Sequence, residues 1–249
     1  MPCKNLDLGI LILAINGSNL LFIFLDVVVG RNPPVKFSRS NPSPRFKELA
    51  QFYRDMHQQG DQLKQVPADK TFDGKSLRPH ILAVKQAVEE FQLKTLLDYG
   101  CGKATFYDRA ELETPNGKTL RGLKQIWGVD GITLYDPGFE PYSQLPSGTF
   151  DGVICTDVME HCSEEDIDWI IDELFAFSNR YLLCSIACYP AKKLLPNGEN
   201  VHITLKKPGW WIDKFHDAAS KRAAVDYYLW LGIVPNRDSI MVRGELLGS

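Results

Sequence analysis

The chain predicts an α/β fold: a doubly wound, mostly parallel sheet with helices on both faces. Three observations carry this. A short apolar run, Leu96-Leu97, ends in Asp98 and passes straight into Tyr99-Gly100-Cys101-Gly102. Two further runs, Phe150 to Asp157 and Tyr181 to Ala187, are nearly continuously apolar, as strands buried on both faces are. Around them, apolar residues recur at helical spacing, and alternation of strand and helix builds a parallel sheet.

Taken in order, the elements begin with an unusual N-terminus. Leu8 to Ile15 is apolar, Asn16 to Asn19 is polar, and Leu20 to Val29 is apolar again except for Asp26. Three readings are open: a poor membrane anchor over residues 8–30, an extra strand pair, or an extension outside the native fold. Asp26 and the polar centre would be costly in hydrocarbon. Arg31 to Pro44 is rich in Pro, Ser and Arg and reads as a linker. The expected organisation is therefore residues 1–43 as apolar segment and linker, and 44–249 as the working domain.

Phe46, Leu49, Ala50, Tyr53 and Met56 share one helix face, and Gly60 ends that helix. Ile81, Val84, Val88 and Phe91 form a second stripe leading into the strand at Leu96. Residues 103–129 are mixed, with Asn116-Gly117 as a turn and enough length to cover a site. Ile132 to Tyr135 reads as a strand closed by Asp136-Pro137-Gly138. Ser163 to Asp166 opens a helix whose stripe is Ile167, Ile170, Ile171, Leu174 and Phe175.

Composition is that of an ordinary globular chain, with 44% hydrophobic and 24% charged residues. The net charge of −3 argues against a nucleic-acid groove. None of the six cysteines forms a Cys-x-x-Cys pair, so zinc-ribbon spacing is absent and no metal site is expected. Free thiols suit a reducing, cytoplasmic setting.

Leu96-Leu97-Asp98-Tyr99-Gly100-Cys101-Gly102 resembles the first motif of the Rossmann-like (class I) S-adenosylmethionine-dependent methyltransferases. Phe150-Asp151-Gly152-Val153 through Met159-Glu160-His161 resembles their fourth motif, with Met159 where Leu is usual. The resemblance spans about residues 80 to 190. It implies S-adenosyl-L-methionine as cofactor, with Asp98 toward its amino-acid portion and Gly100 and Gly102 allowing close backbone approach. It also implies an acid at the end of the second strand accepting from both ribose hydroxyls, a role suited to an acceptor-only carboxylate. Asp136 is chosen for it because the run before it is the better strand; Asp130 is the rival. Asp157 ends the fourth-motif strand and faces the same cleft.

The chain departs from that family between Asp136 and Asp151, where fourteen residues stand in place of the usual helix and third strand. Transfer of adenine-binding residues stops there. Two histidines are candidate bases. His161 is either a general base or a structural residue. His202 sits among polar residues after Asn197-Gly198 and reads as an exposed loop residue over the cleft. Trp210 and Trp211 either wall a substrate pocket or pack in the core. The expected function is methyl transfer to an oxygen or nitrogen of a small-molecule or glycan-type acceptor. The alternative is a non-catalytic S-adenosylmethionine-binding module. A nicotinamide-dependent oxidoreductase fits poorly, because Thr105 stands where the third glycine is needed.

Overall fold

The computed structural model describes residues 10–16, 19–25, 36–222, 224–234 and 238–244. The chain divides into two compact units, Met1–Lys36 and Phe37–Ser249. In the first, strands β1 (Ile10–Asn16) and β2 (Asn19–Leu25) pair antiparallel, with Ile10 opposite Leu25 and Asn16 opposite Asn19. Of the three readings of this segment, the described residues adopt the strand pair. Asp26 and the rest of the second apolar run lie outside the described residues. Among the described residues, no helix is long and apolar enough to cross a membrane.

The second unit begins at Phe37, seven residues before the expected boundary. Residues 37–43 are not a linker. Ser43 is fully buried; its hydroxyl accepts from the Phe46 N–H at 2.9 Å and donates to Asp166 Oδ2 at 2.5 Å. It thereby caps α1 (Pro44–Gln59) and ties that helix to the turn before α4 (Ile167–Phe177). Arg39 forms an ion pair with Glu173 of α4 and lies 4.7 Å over the Trp169 ring. Proline-rich composition suggested an open tether, but long-range polar partners hold this stretch down.

The remaining elements follow in chain order. Helix α2 (Ile81–Phe91) leads into β3 (Thr95–Tyr99). A small hairpin, β4 (Glu111–Glu113) and β5 (Thr119–Arg121), turns at Asn116-Gly117 and is followed by α3 (Leu123–Trp127) and β6 (Gly131–Tyr135). Next are β7 (Phe150–Thr156), α4, β8 (Ser178–Ala187), α5 (Pro208–Ala219), β9 (Asp226–Gly232) and β10 (Ser239–Gly244). Six strands form one sheet in the order β10-β9-β8-β7-β3-β6. All neighbours are parallel except β9 and β10. Between Asp136 and Phe150 there is one 3-10 turn, Glu140–Tyr142, and no strand, so β6 is left as the sheet edge.

Strand alternation sorts the core into two layers. Leu97, Tyr99, Val153, Cys155, Leu182 and Cys184 pack with Ile170, Leu174, Trp211 and Phe215 of α4 and α5. Leu96, Ile154, Tyr181 and Leu183 pack with Val84, Val88, Leu123 and Trp127 of α2 and α3. Both faces are thus apolar, which explains the unbroken apolar runs in β7 and β8. Trp211 is fully buried in the first layer, so core packing is the reading that holds for it.

Candidate functional site

The carboxyl ends of β3, β6 and β7 open on a cavity of about 560 Å³. Gly100 and Gly102 form one wall. Helix α1 contributes Phe46, Leu49, Tyr53 and His57, while segments 64–76 and 191–202 close the remainder. Residues 103–129, expected to cover the site, contribute nothing to its lining. Their hairpin and helix pack on the α2 side of the sheet instead, through Leu112, Leu120 and Ile126.

The glycine turn uses backbone conformations that glycine adopts without steric cost. Gly100 has φ +89° and Gly102 has φ +60°, both in the left-handed region. Their amides are engaged internally. Gly100 and Cys101 N–H donate to the Tyr135 carbonyl at 2.7 and 3.2 Å. Gly102 N–H donates to Asp136 Oδ2 at 2.8 Å. The other Asp136 oxygen accepts from Gly138 N–H at 2.8 Å, so this carboxylate clamps the end of β6 to the loop after β3. Burial raises its pKa, opposed by the three backbone N–H groups that face it. Asp130, the rival, is exposed at the opposite end of β6, which settles the choice of strand end in favour of Asp136.

Asp98 does not line the cavity. It is 3% exposed within β3, and burial, helped by neighbouring Asp136, pushes its pKa up to about 8. It is therefore largely protonated at neutral pH. His57 is a cavity residue that sequence reasoning missed. It lies between the rings of Phe72 and Phe139, 3.8 Å from Asp136, and its Nδ1 has no partner. Burial, with Lys103 and Lys193 nearby, lowers its pKa to about 4. The helical stripe on α1 was legible as a buried face; nothing local indicated that the face borders a cavity.

Beyond β7 the chain turns sharply. Asp157 takes φ +61°, a strained conformation for a residue with a side chain. The short 3-10 turn Met159–His161 follows. His202 is brought against this turn and is buried, 7% exposed. The expectation of an exposed loop residue fails because Thr204 anchors the segment: its N–H donates to the Glu160 carbonyl and its hydroxyl to the Cys162 carbonyl. The His161 and His202 rings meet edge to face with centroids 4.9 Å apart. Their Nδ1 atoms lie 2.9 Å from the Val201 carbonyl and 2.6 Å from the Tyr189 carbonyl, respectively. A carbonyl only accepts, so the His202 Nδ1 carries the proton and its Nε2 keeps the lone pair. The His161 Nδ1 also lies 2.8 Å from the Tyr53 hydroxyl, which both donates and accepts. Burial lowers the His161 pKa to about 4.

Asp157, Glu160, His161 and His202 each place one potential ligand atom within 4.8 Å of the others. Asp157 also borders a second cavity of about 460 Å³, together with Glu160, His80, Tyr189 and Trp230. The four residues therefore stand where two cavities adjoin. Among the seven residues expected at the site, Gly100, Gly102, Asp136, Asp157, His161 and His202 border the first cavity and Asp98 does not. Comparison with protein-family models, with curated proteins and with solved structures found no match to this chain.

Proposed function

We propose that the chain is an S-adenosyl-L-methionine-dependent methyltransferase of the Rossmann-like class, acting on an oxygen or nitrogen of a small-molecule or glycan-type acceptor. One observation carries the reading. The cavity lies at the carboxyl ends of β6, β3 and β7, where the chain goes from β3 to one neighbour, β6, and then crosses to the other, β7. Ligands of open α/β sheets bind at such switch points. Asp136 supports the cofactor role although three backbone N–H groups face it, since a carboxylate has about four lone-pair sites and one remains for a ribose hydroxyl.

The chemistry asks little of the protein beyond alignment and exclusion of water. A sulfonium methyl passes in line to the acceptor, the S–CH₃ bond breaks, and an acceptor hydroxyl releases its proton. The cavity wall carries Lys64, Lys70, Lys75, Lys192 and Lys193 against the carboxylates Asp73, Asp136 and Asp157. That surplus of positive charge favours an acceptor with negative charge of its own. The absence of a third parallel strand beyond β6 favours a second reading, a cofactor-binding module without turnover.

Titration of the full chain with S-adenosylhomocysteine tests the cofactor role. Binding is expected for the parent, at least tenfold weaker for Asp136→Asn and unchanged for Asp130→Asn, because a charged hydrogen bond contributes about 1.5–3 kcal/mol. No binding to the parent, or equal affinity of the two variants, overturns the reading.

A further inference from the structure

We propose that Asp157, Glu160, His161 and His202 bind a divalent first-row transition metal ion at the junction of the two cavities. Two imidazole nitrogens and two carboxylates without a thiolate suit Mn²⁺, Fe²⁺, Co²⁺ or Zn²⁺.

Three independent features point to the ion. The first is ring orientation. The His202 Nδ1 lies 2.6 Å from the Tyr189 carbonyl and donates to it, which is how ligating imidazoles are held with Nε2 free for metal. The His161 ring, 41 residues away in sequence, meets it edge to face; its Nδ1 lies between the Val201 carbonyl and the Tyr53 hydroxyl, and a proton shared with either leaves Nε2 free in the same way. The second is Glu160. It is fully buried; Oε1 accepts from the Ala187 N–H at 2.6 Å, and Oε2 meets no donor, its neighbour being the Asp157 carboxyl, which bonds it only when one of the two acids is protonated. A buried carboxylate oxygen without a partner is costly, and here the adjacent carboxylate is Asp157. Among the described residues, no Lys or Arg ion pair joins either acid; Asp157's ion-pair contact is His161, at 4.0 Å. A cation between them would offset both the unpaired oxygen and the repulsion of two acids. The third is spacing. Neighbouring ligands about 2.0–2.2 Å from a metal lie roughly 3–3.6 Å apart, so a set already within 4.8 Å needs to close by about an ångström, a distance side-chain rotation can supply.

Asp157 is the exposed member, with half of its side chain open. The bound ion would therefore keep positions facing the clefts. In the methyltransferase reading, on which this role rests, an acceptor hydroxyl would take one of them. Metal binding lowers the pKa of a bound hydroxyl, its proton leaves to solvent through the open cleft, and the oxygen takes the methyl from sulfur. His161 and His202 then serve as ligands and neither acts as the base.

The test uses metal-depleted full chain and Mn²⁺ alone, with free Mn²⁺ counted by electron paramagnetic resonance. One Mn²⁺ per chain is expected, with Mn²⁺ raising the melting temperature. Glu160→Gln keeps an acceptor for Ala187 and should weaken binding roughly tenfold or more, as should His202→Ala, while exposed Asp130→Asn binds as the parent does. Parent protein that takes up no Mn²⁺, or folded Glu160→Gln and His202→Ala variants with parental affinity, overturns the site. S-adenosylhomocysteine titration of the same samples separates the two readings, because cofactor binding does not require the ion.

Discussion

A methyl group at Gly100 would sit 2.3 Å from Val158 Cγ2, and the backbone there has φ +89°. The glycine was expected to clear space for a ligand. It also clears space for the residue after Asp157, so the first-motif turn and the fourth-motif turn interlock. Gly117, with φ +79° and nothing within 4 Å of a built Cβ, isolates the backbone part of the cost. Gly100→Ala should therefore destabilise by about 2–4 kcal/mol, strain and clash together, against about 1 kcal/mol for Gly117→Ala. Urea denaturation measures both, and equal losses would remove the Val158 contact from the account. Sequence identified Gly100 because a glycine after a strand-ending acid is a local signal. It had no means of showing Val158, 58 positions away, as the atom that demands it.

At the scale of elements, the segment 37–43 behaves as part of the α1–α4 junction. Arg39 reaches Glu173, Tyr99 at 2.5 Å and Tyr135 at 3.2 Å, while Ser43 caps α1 and bonds Asp166. Asp166 also accepts from Trp169 Nε1 at 2.8 Å. A fragment of residues 37–249 should melt cooperatively. A fragment of residues 44–249, cut at the boundary the composition suggests, should lose at least about 2 kcal/mol, since it removes the cation paired with Glu173, the Ser43 donors to Asp166 and a helix cap. Identical melting temperatures for the two fragments would show these contacts to be idle. The helices were legible from 3.6-residue apolar spacing. Strands β9 and β10 and the hairpin β4–β5 were not, because short strands that alternate or lie at an edge carry weak local patterns.

For the whole molecule, buried ionisable groups set a stability profile. Burial holds His57 and His80 near pKa 4, while the unfolded chain titrates near 6.5. Lys103 and Lys193 face His57 with Asp136 opposite; Asp157 faces His80. As pH falls from about 6.5 toward 4, the unfolded chain binds protons that these rings refuse, and stability drops. Asp98 acts in the other direction. Its folded pKa near 8 lies above its unfolded value, so stability falls as pH rises toward 8, and above about 6.5 the histidines no longer oppose it. Buried Glu160, also raised, adds to the same limb in metal-free protein. In chelator the melting temperature should fall as pH rises from about 6.5 toward 8, and Asp98→Asn should shallow that alkaline limb. An alkaline limb unchanged by that substitution would show Asp98 ionised in the fold.

Local sequence determined what depends on near neighbours. It located the strand from Leu96, the glycine turn, the strand ending at Asp136, the helical faces of α1, α2 and α4, and the missing strand after Asp136. Each is a matter of backbone preference or of apolar period within a few residues. The tertiary structure decided what depends on which surfaces meet. It buried His202 against His161, gave both rings carbonyl partners, left Glu160 Oε2 without one, and drew 37–43 into the fold. Burial and solvent exclusion belong to the assembled faces. Pairings across 40 to 130 residues leave no periodic trace in the chain, and so the four-residue cluster, the part of the site with the most chemistry in it, became visible only once the strands and helices were packed.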